Sequence, residues 1–249
     1  MQLGSWIQRW IGQRSAAHAW GLSPGQAGWL LVGLGRDASR FLGVHRLQYL
    51  TGELDDPGPA GVSQGLRQCG MSRGVWRSGH LVHVGMAMDQ VASGALVIPV
   101  GMAPSEREAE VQLEAARILN LEPEHISFDW HASPLSDGVL VQLHWVACPN
   151  KAIDELKRCV RRSGAQLASV EPVMHAARRA AACLSGGLST VLTRPVQDWQ
   201  FDPALAADHA EAAADIALAS VFDHALDEAM QTPVGPGLVA TGLALKAWA

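Results

Sequence analysis

The sequence predicts a fold in which strands and helices alternate, of the α/β or mixed α+β class. Apolar runs of strand length recur along the chain, the strongest of them at Val139–Cys148, and polar helical segments with clear ends follow them, such as 151–164. Elements that alternate in this way usually pack as helices against a sheet. With 249 residues, the chain can bury a sizeable core in one large domain or two small ones.

Composition and charge exclude several classes of function. The formal net charge is −5, whereas a nucleic-acid-binding protein usually presents a clustered basic surface. The most apolar segment, 80–102, is interrupted by Asp89, Gln90 and Ser93 and is no membrane-spanning helix. The N-terminus also lacks the apolar core and the cleavage site of a secretory signal. We therefore expect a cytoplasmic protein with no transmembrane segment and no nucleic-acid partner.

The cysteines and histidines form no recognisable metal or redox motif. Cys69, Cys148, Cys159 and Cys183 have no close Cys-x-x-Cys spacing, so we expect reduced thiols. None of the ten histidines has a partner four residues away, as a helical zinc site requires. No serine lies in a Gly-x-Ser-x-Gly turn. We expect no catalytic residue and no metal ligand.

The first 22 residues are predicted to form an amphipathic N-terminal arm. Helical spacing places five apolar side chains on one stripe: Leu3, Trp6, Ile7, Trp10 and Ile11. Such a stripe fits a helix at a membrane interface, or an arm that docks on the protein's own core. The two cationic side chains attract lipid only weakly, so docking on the core is favoured.

A hairpin, a short helix and two strands are predicted next. Apolar runs at Trp29–Leu34 and Arg40–Leu50 flank a turn with glycine and polar residues, which is typical of a β-hairpin. A short helix is predicted around Val62–Gln68. The apolar stretches His80–Met88 and Ala95–Gly101 are predicted to be strands.

The segment Gly101–Trp130 is predicted to be a capped helix that leads into a strand. Ser105 and Glu108 have the spacing of a capping box, in which the hydroxyl and the carboxylate each accept a free backbone amide. Pro123 is expected to end this helix. The stretch "HISFDW", from His125, is predicted to be the strand.

The remaining elements are a second capped helix, a strand and further helices. Asn150 is predicted to cap "KAIDELKRCVRRSG", where acidic residues lie near the start, basic residues near the end, and Gly164 follows. "QLASVEPV" is predicted to be a strand and "MHAARRAAACL" a helix. The main element of 191–231 is predicted to be a long alanine-rich helix from Asp202, and "LVATGLALKAWA" a closing helix.

Taken in this order, the elements resemble the type IV pilus assembly PilM family, whose actin-like fold is related to the cell-division protein FtsA. The residues that carry the resemblance are "VHVGMAMDQVASGALVIPVGMAPSEREAEVQLEAARILNLEPEHISFDW", "LVQLHWVACPNKAIDELKRCVRRSGAQLASVEPVMHAARRA" and the terminal "GLALKAWA". The likeness covers about 29–184 and the last dozen residues. It rests on the ordered pattern and not on any one motif.

The resemblance implies an actin-like (ribonuclease H-like) first lobe with an inserted small α+β subdomain. In this division the core lobe comprises 23–90, 165–190 and 232–249, and the inserted subdomain comprises 91–164. The alanine-rich helix of 191–231 then replaces most of the second, nucleotide-binding lobe.

The resemblance also implies a nucleotide site that this sequence does not complete. Family members bind ATP and magnesium with an acidic residue in the first hairpin turn, where this chain has Gly35. Asp37 and Ser39 are vestigial candidates that could serve only after a register shift. The second phosphate turn would lie in "SGGLST", from Ser185, which no acidic residue precedes. We therefore expect no cofactor and no ATP hydrolysis, with an ATP-binding protein or weak ATPase switch as an alternative.

The resemblance implies a partner at the inner membrane. Family members bind the N-terminal cytoplasmic tail of a bitopic protein, PilN, in a groove formed with the inserted subdomain. Trp76, Trp130 and Trp145 are candidates for contacting that tail, although core packing explains them equally well. We expect a non-enzymatic adaptor, held at the inner membrane through a PilN-like partner and linked to other alignment or motor components. A cytoplasmic component of a type II secretion platform is the other alternative.

Overall fold

The computed structural model describes most of the chain, in six segments: 19–36, 41–54, 61–71, 80–135, 138–205 and 216–248. Among these residues, Met88–Asp154 form one compact unit, the small unit, and 19–87 with 155–248 form another, the large unit. The strands are β1 Ala19–Gly25, β2 Gly28–Arg36, β3 Leu42–Leu50, β4 Leu81–Met86, β5 Ala92–Pro99, β6 Ile126–Pro134, β7 Leu140–Pro149, β8 Gln166–Pro172 and β9 Gln200–Phe201. The helices are α1 Val62–Gln68, α2 Pro104–Leu119, α3 Asn150–Ser163, α4 Val173–Cys183, α5 Ser189–Thr193, α6 Ile216–Gln231 and α7 Gly235–Leu245.

The large unit is built on a mixed six-stranded sheet. Its strand order is β8-β4-β1-β2-β3-β9. Strands β1, β4 and β8 run parallel, whereas β1–β2, β2–β3 and β3–β9 are antiparallel pairs. This arrangement confirms the predicted α/β class and the predicted hairpin, whose strands are β2 and β3.

Helix α7 lies against this sheet and against α4 at very short range. A Cβ atom added at Gly21 of β1 would lie 1.9 Å from the carbonyl oxygen of Ala240, and one added at Gly242 would lie 1.8 Å from that of Ala176. Only glycine leaves room for these backbones to approach so closely. The core therefore joins sheet and helices tightly, with Leu238 and Leu243 fully buried in it.

The first strand begins inside the predicted N-terminal arm. Ala19–Leu22 are buried in β1, so the prediction of an arm over 1–22 is wrong at its end. The turn-forming residues Ser23, Pro24 and Gly25 obscure the strand in the sequence. Pairing with β2 on one side and β4 on the other overrides that local preference. Residues 1–18 lie outside the described residues.

The segment predicted to hold the alanine-rich helix starts with shorter elements. Residues 191–201 contain the end of α5, a 3-10 turn at Val196–Asp198, and β9. Pro195 lacks a backbone donor and prevents a continuous helix there. The Asp202 carboxylate accepts the amide of Ala204 at 3.1 Å, as a cap would. Residues 206–215 lie outside the described residues, and the helix is described again as α6.

The small unit is a three-stranded antiparallel sheet with α2 packed on one face. Its strand order is β5-β7-β6. The predicted strands at "HISFDW" and Val139–Cys148 are confirmed as β6 and β7. Ile98, Leu143 and Val111 share the core between the sheet and α2.

The start and end of α2 differ from the prediction. The capping box at Ser105 and Glu108 is wrong, because the N-cap is Ala103 and the helix begins at Pro104, whose fixed φ suits a first helical position. Glu106 is the residue that reaches back, and its Oε2 accepts the amide of Ala103 at 2.8 Å. The helix ends at Asn120, which adopts a left-handed φ of 51°, before the predicted stop at Pro123.

The Asn150 side chain links the end of β7 to β6 and the turn before it by hydrogen bonds, instead of capping a helix. Asn150 follows β7 directly and is already the first residue of α3. Its Oδ1 accepts the Ser127 hydroxyl at 2.6 Å, and its Nδ2 donates to the carbonyl of Glu124 at 2.8 Å. The predicted stop at Gly164 is confirmed, since that residue has a φ of 97°.

Candidate functional site

The two tryptophans of the small unit face each other across β6 and β7. Trp130 pairs with Trp145 in the strand register, and both side chains point toward α2. Trp145 is only 2% exposed and packs over Gly94 of β5, where an added Cβ would lie 2.7 Å from the indole. Its burial favours the core-packing interpretation of Trp145. Trp130 is half-buried, while Trp76 lies outside the described residues.

The opposite face of this sheet carries polar and small side chains. His131 and His144 are paired across β6 and β7, and their rings stack with centroids 4.9 Å apart. Ala95 of β5 lies opposite His144, and Val97, two residues further along, is 56% exposed. The pattern of residue types alone does not reveal the strand register that brings His131 to His144.

The small unit offers two strand edges to an extended peptide. Among the residues described, β5 and β6 each pair with β7 alone, so their outer backbone groups have no strand partner there. An edge of this kind can accept an added strand, with alternate side chains supplying specificity. On the helical side, Leu113 of α2 is also exposed, at 57%. The unit therefore presents strand edges of the kind with which an extended peptide can pair.

The predicted vestiges of a nucleotide site are only partly within the described residues. Asp37 and Ser39 lie outside them. Gly35 is part of β2 and pairs with Gly43 of β3. The guanidinium of Arg36 lies over the Trp248 ring, 5.5 Å from its centroid, in a cation–π contact.

The second predicted phosphate turn is stabilised by its own hydrogen bonds. Gly186 and Gly187 have φ values of 85° and 68°, which favour glycine. The Ser189 hydroxyl donates to the Gly186 carbonyl at 3.0 Å, and the Thr190 hydroxyl donates to the Ser185 carbonyl at 3.1 Å. Both hydroxyls therefore donate to backbone carbonyls of the turn itself.

A buried ionic cluster joins β8, α4 and the end of α7 in the large unit. Glu171 is 8% exposed, and its two oxygens accept Arg179 Nη1 at 2.5 Å and Nη2 at 2.9 Å. Arg179 also donates to the Gly242 carbonyl, and Lys246 Nζ lies 3.2 Å from Glu171 Oε2. Burial alone would raise the pKa of Glu171, but the hydrogen bonds and charges of Arg179 and Lys246 outweigh it and lower the pKa. The carboxylate is therefore held ionised.

His83 on β4 is the neutral neighbour of this cluster. Its Nδ1 lies 2.8 Å from the Ser169 hydroxyl. Burial, followed by the positive charge of Lys246, lowers the pKa of His83 to about 4. A glutamate at the end of an apolar strand was the one signal of this cluster in the sequence. Its partners come from distant segments, which spacing alone does not connect.

The four cysteines are unpaired, as predicted. Burial raises the pKa of each thiol, and that of Cys159 reaches about 11. Thiols in such surroundings are poor nucleophiles. Within the described segments, no three His, Cys, Asp or Glu side chains are grouped as ligands for a metal ion. No described helix combines the length and the apolar character needed to cross a membrane.

Comparison with known proteins gives a fold likeness and no family assignment. No protein-family model matches the chain, and no curated protein matches it. A similar solved structure is the "PilM-PilN type IV pilus biogenesis complex", with 21% identity over 67% of this chain and 53% of that one, at a TM-score of 0.50. Another is the cytoplasmic domain of EpsL, an inner-membrane component of the Vibrio cholerae type II secretion system, with 14% identity, coverages of 64% and 58%, and a TM-score of 0.40.

The likeness to the first of these structures concerns the fold. It supports a PilM-like mixed α/β fold for the aligned part of the chain. The chain spans 53% and 58% of the lengths of the two proteins, so their activities and partners do not transfer with the fold.

Proposed function

We propose that this protein is a non-enzymatic cytoplasmic adaptor of a type IV pilus or related secretion assembly. In this role it binds the N-terminal cytoplasmic tail of a PilN-like inner-membrane protein and stays at the membrane through that partner. The observation that carries the proposal is the fold likeness to a protein solved as a PilM–PilN complex, at a TM-score of 0.50.

The small unit supports the proposal with a surface suited to an extended tail. It presents two strand edges, and Val97 is an exposed apolar side chain on the edge strand β5. A tail that adds as a strand gains main-chain hydrogen bonds, and alternate side chains select its sequence. We place the tail against β5, where Val97 contacts one of its apolar residues.

The nucleotide-binding alternative receives less support from the described residues. The Ser189 and Thr190 hydroxyls are used by their own turn, and Arg36 is engaged by Trp248. The chain has Gly35 where the hairpin turn of the resembled family carries its acidic residue. If the protein is an adaptor, we expect calorimetry to detect no magnesium-ATP binding by the wild-type chain, and Asp37→Ala to leave that result unchanged. Tight binding that Asp37→Ala abolishes would instead support the switch.

The experiment that tests the adaptor function is co-purification from gently solubilised inner membranes. The tagged chain is expected to retain a small single-span protein, identified by mass spectrometry. Deletion of the first ten or so residues of that partner should abolish its retention, because the tail supplies the contact. Retention that survives the deletion, or the absence of any such protein, would contradict the proposal.

A further inference from the structure

The last two turns of α3 carry a dense group of cations. Four of the eight residues in 156–163 are basic and none is acidic. Lys157, Arg158 and Arg161 are exposed, and Arg162 is half-buried. The side of the helix that packs into the large unit is made of other residues: Leu156, Cys159, Val160 and Ser163.

Helix α1 adds a fifth cation to the same place. Arg67 Nε donates to the backbone carbonyl of Arg162 at 2.9 Å, and Nη2 donates to the same oxygen. This contact fixes the guanidinium of Arg67 at the C-terminal end of α3. Helix α1 contains no acidic residue. The five side chains define what we call the basic surface: Arg67, Lys157, Arg158, Arg161 and Arg162.

The two acidic residues of α3 lie toward its start. Asp154 precedes Lys157 and Arg158 by about one turn on the same helix face, and Glu155 is next to it. Both therefore lie toward the start of α3, away from Arg161 and Arg67. The carbonyl end of a helix carries a charge of only about half a unit, so it accounts for a small part of five cations.

We propose that the basic surface binds anionic phospholipid membranes. Groups of four or more cations on one helix end are attracted to negatively charged lipid headgroups. The whole chain has a net charge of −5, so the positive charge of the basic surface is opposite in sign to the charge of the chain as a whole. The inference goes beyond the proposed adaptor function, since it requires no protein partner.

The same residues fit a nucleic acid less well. A nucleic-acid-binding domain usually has a high isoelectric point, whereas this chain has one near 6.0. Neither α1 nor α3 contains an aromatic residue on which a base could stack. Binding to a flat anionic membrane requires only cations that project from one side of the protein, as the cations of the basic surface do.

The test measures binding of the purified full chain to vesicles by sedimentation. The vesicles contain phosphatidylcholine alone, or phosphatidylcholine with about one-third phosphatidylglycerol. A triple variant, Lys157→Gln with Arg158→Gln and Arg161→Gln, removes three exposed cations of the basic surface. The control variant, Arg117→Gln with Arg178→Gln and Arg194→Gln, removes three exposed cations elsewhere and changes the net charge equally.

The wild-type chain should bind the anionic vesicles and not the neutral ones, and added salt should weaken binding by screening. Each cation near an anionic surface contributes about fivefold, so the triple variant should bind roughly 100-fold more weakly. The control variant should bind within a few-fold of the wild type. Circular dichroism on both variants verifies that these exposed substitutions leave the fold intact.

Three results would overturn the inference. The first is that the wild-type chain does not bind the anionic vesicles. The second is that both variants lose binding equally, which would make net charge the cause. The third is that the triple variant still binds vesicles but no longer binds a short DNA duplex, which would make the surface one for nucleic acid. None of these results bears on the tail-binding adaptor, which co-purification tests separately.

Discussion

At the scale of single residues, the buried ion pair between Glu171 and Arg179 illustrates how environment fixes a side chain's role. An ionised carboxylate that is 8% exposed is tolerated only because Arg179 and Lys246 neutralise it with hydrogen bonds. The cluster connects β8 to α4 and to the end of α7. We interpret it as a structural clamp in the large unit.

Arg179→Met is expected to lower the free energy of unfolding by about 3 kcal/mol, the lower end for breaking a buried pair, because Lys246 still faces Glu171. Urea unfolding measures this change. The neighbouring Arg178 forms a pair with Asp223 that is exposed on both sides, so Arg178→Met should cost less than about 1 kcal/mol. Equal losses in the two variants would contradict the clamp.

We expect His83 to make the free energy of unfolding depend on pH between 6.5 and about 4. Its pKa is about 4 when folded, against 6.5 for the free side chain, so the unfolded chain binds the proton first. Stability from His83 is therefore complete above pH 6.5 and falls as the pH drops toward 4, by up to about 3 kcal/mol. The charged groups that face His83 are Lys246, Glu171 and Arg179.

Unfolding curves between pH 7 and pH 4 test this expectation. His83→Gln should lose less stability over the window than the wild type, since glutamine keeps a partner for Ser169 and takes up no proton. The same change at the exposed His125 is the control for replacing a histidine by glutamine. A wild-type slope retained by His83→Gln would contradict the assignment.

At the scale of elements, the close packing of α7 onto α4 depends on one missing side chain. An alanine at Gly242 would place its Cβ 1.8 Å from the Ala176 carbonyl oxygen, so the helices must separate. We expect Gly242→Ala to cost about 3 kcal/mol, despite the helix propensity of alanine. Gly43→Ala is the control, because its Cβ would meet nothing within 4 Å. Thermal unfolding should show a lowered midpoint for the first variant alone.

The elements themselves were largely predictable, whereas their ends were not. Strands β6 and β7 and helix α1 follow from apolar patterns that need no tertiary information. The start of α2 was misplaced because Ser105 and Glu108 have the spacing of a capping box, whereas the N-cap is Ala103, whose backbone amide donates to Glu106. Strand β1 was missed because Ser23, Pro24 and Gly25 give its end the composition of a turn, although it pairs with the adjacent strand β2 and with the distant strand β4.

At the scale of the whole molecule, the sequence order of elements predicted a PilM-like fold, and the likeness to a solved PilM structure supports it. The candidate site was less accessible. Trp145 and Trp130 looked equivalent in the sequence, but Gly94 allows only Trp145 to be buried. The strand edges of the small unit and the His131–His144 stack depend on strand register, which a pattern of residue types does not contain. The four cations of α3 were visible in the sequence, whereas the addition of Arg67 to the basic surface depends on a contact between distant elements.

The most direct test of the adaptor is a titration of the purified chain with a labelled synthetic peptide of the captured partner's first residues, followed by fluorescence anisotropy. Two variants share the same chemistry: Val97→Asp on β5 and Leu113→Asp on α2, whose wild-type side chains are 56% and 57% exposed. We expect saturable binding that Val97→Asp weakens at least tenfold and that Leu113→Asp leaves unchanged. Absence of saturable binding to the wild-type chain would contradict the adaptor, and equal affinity of all three proteins would contradict the placement of the tail on β5.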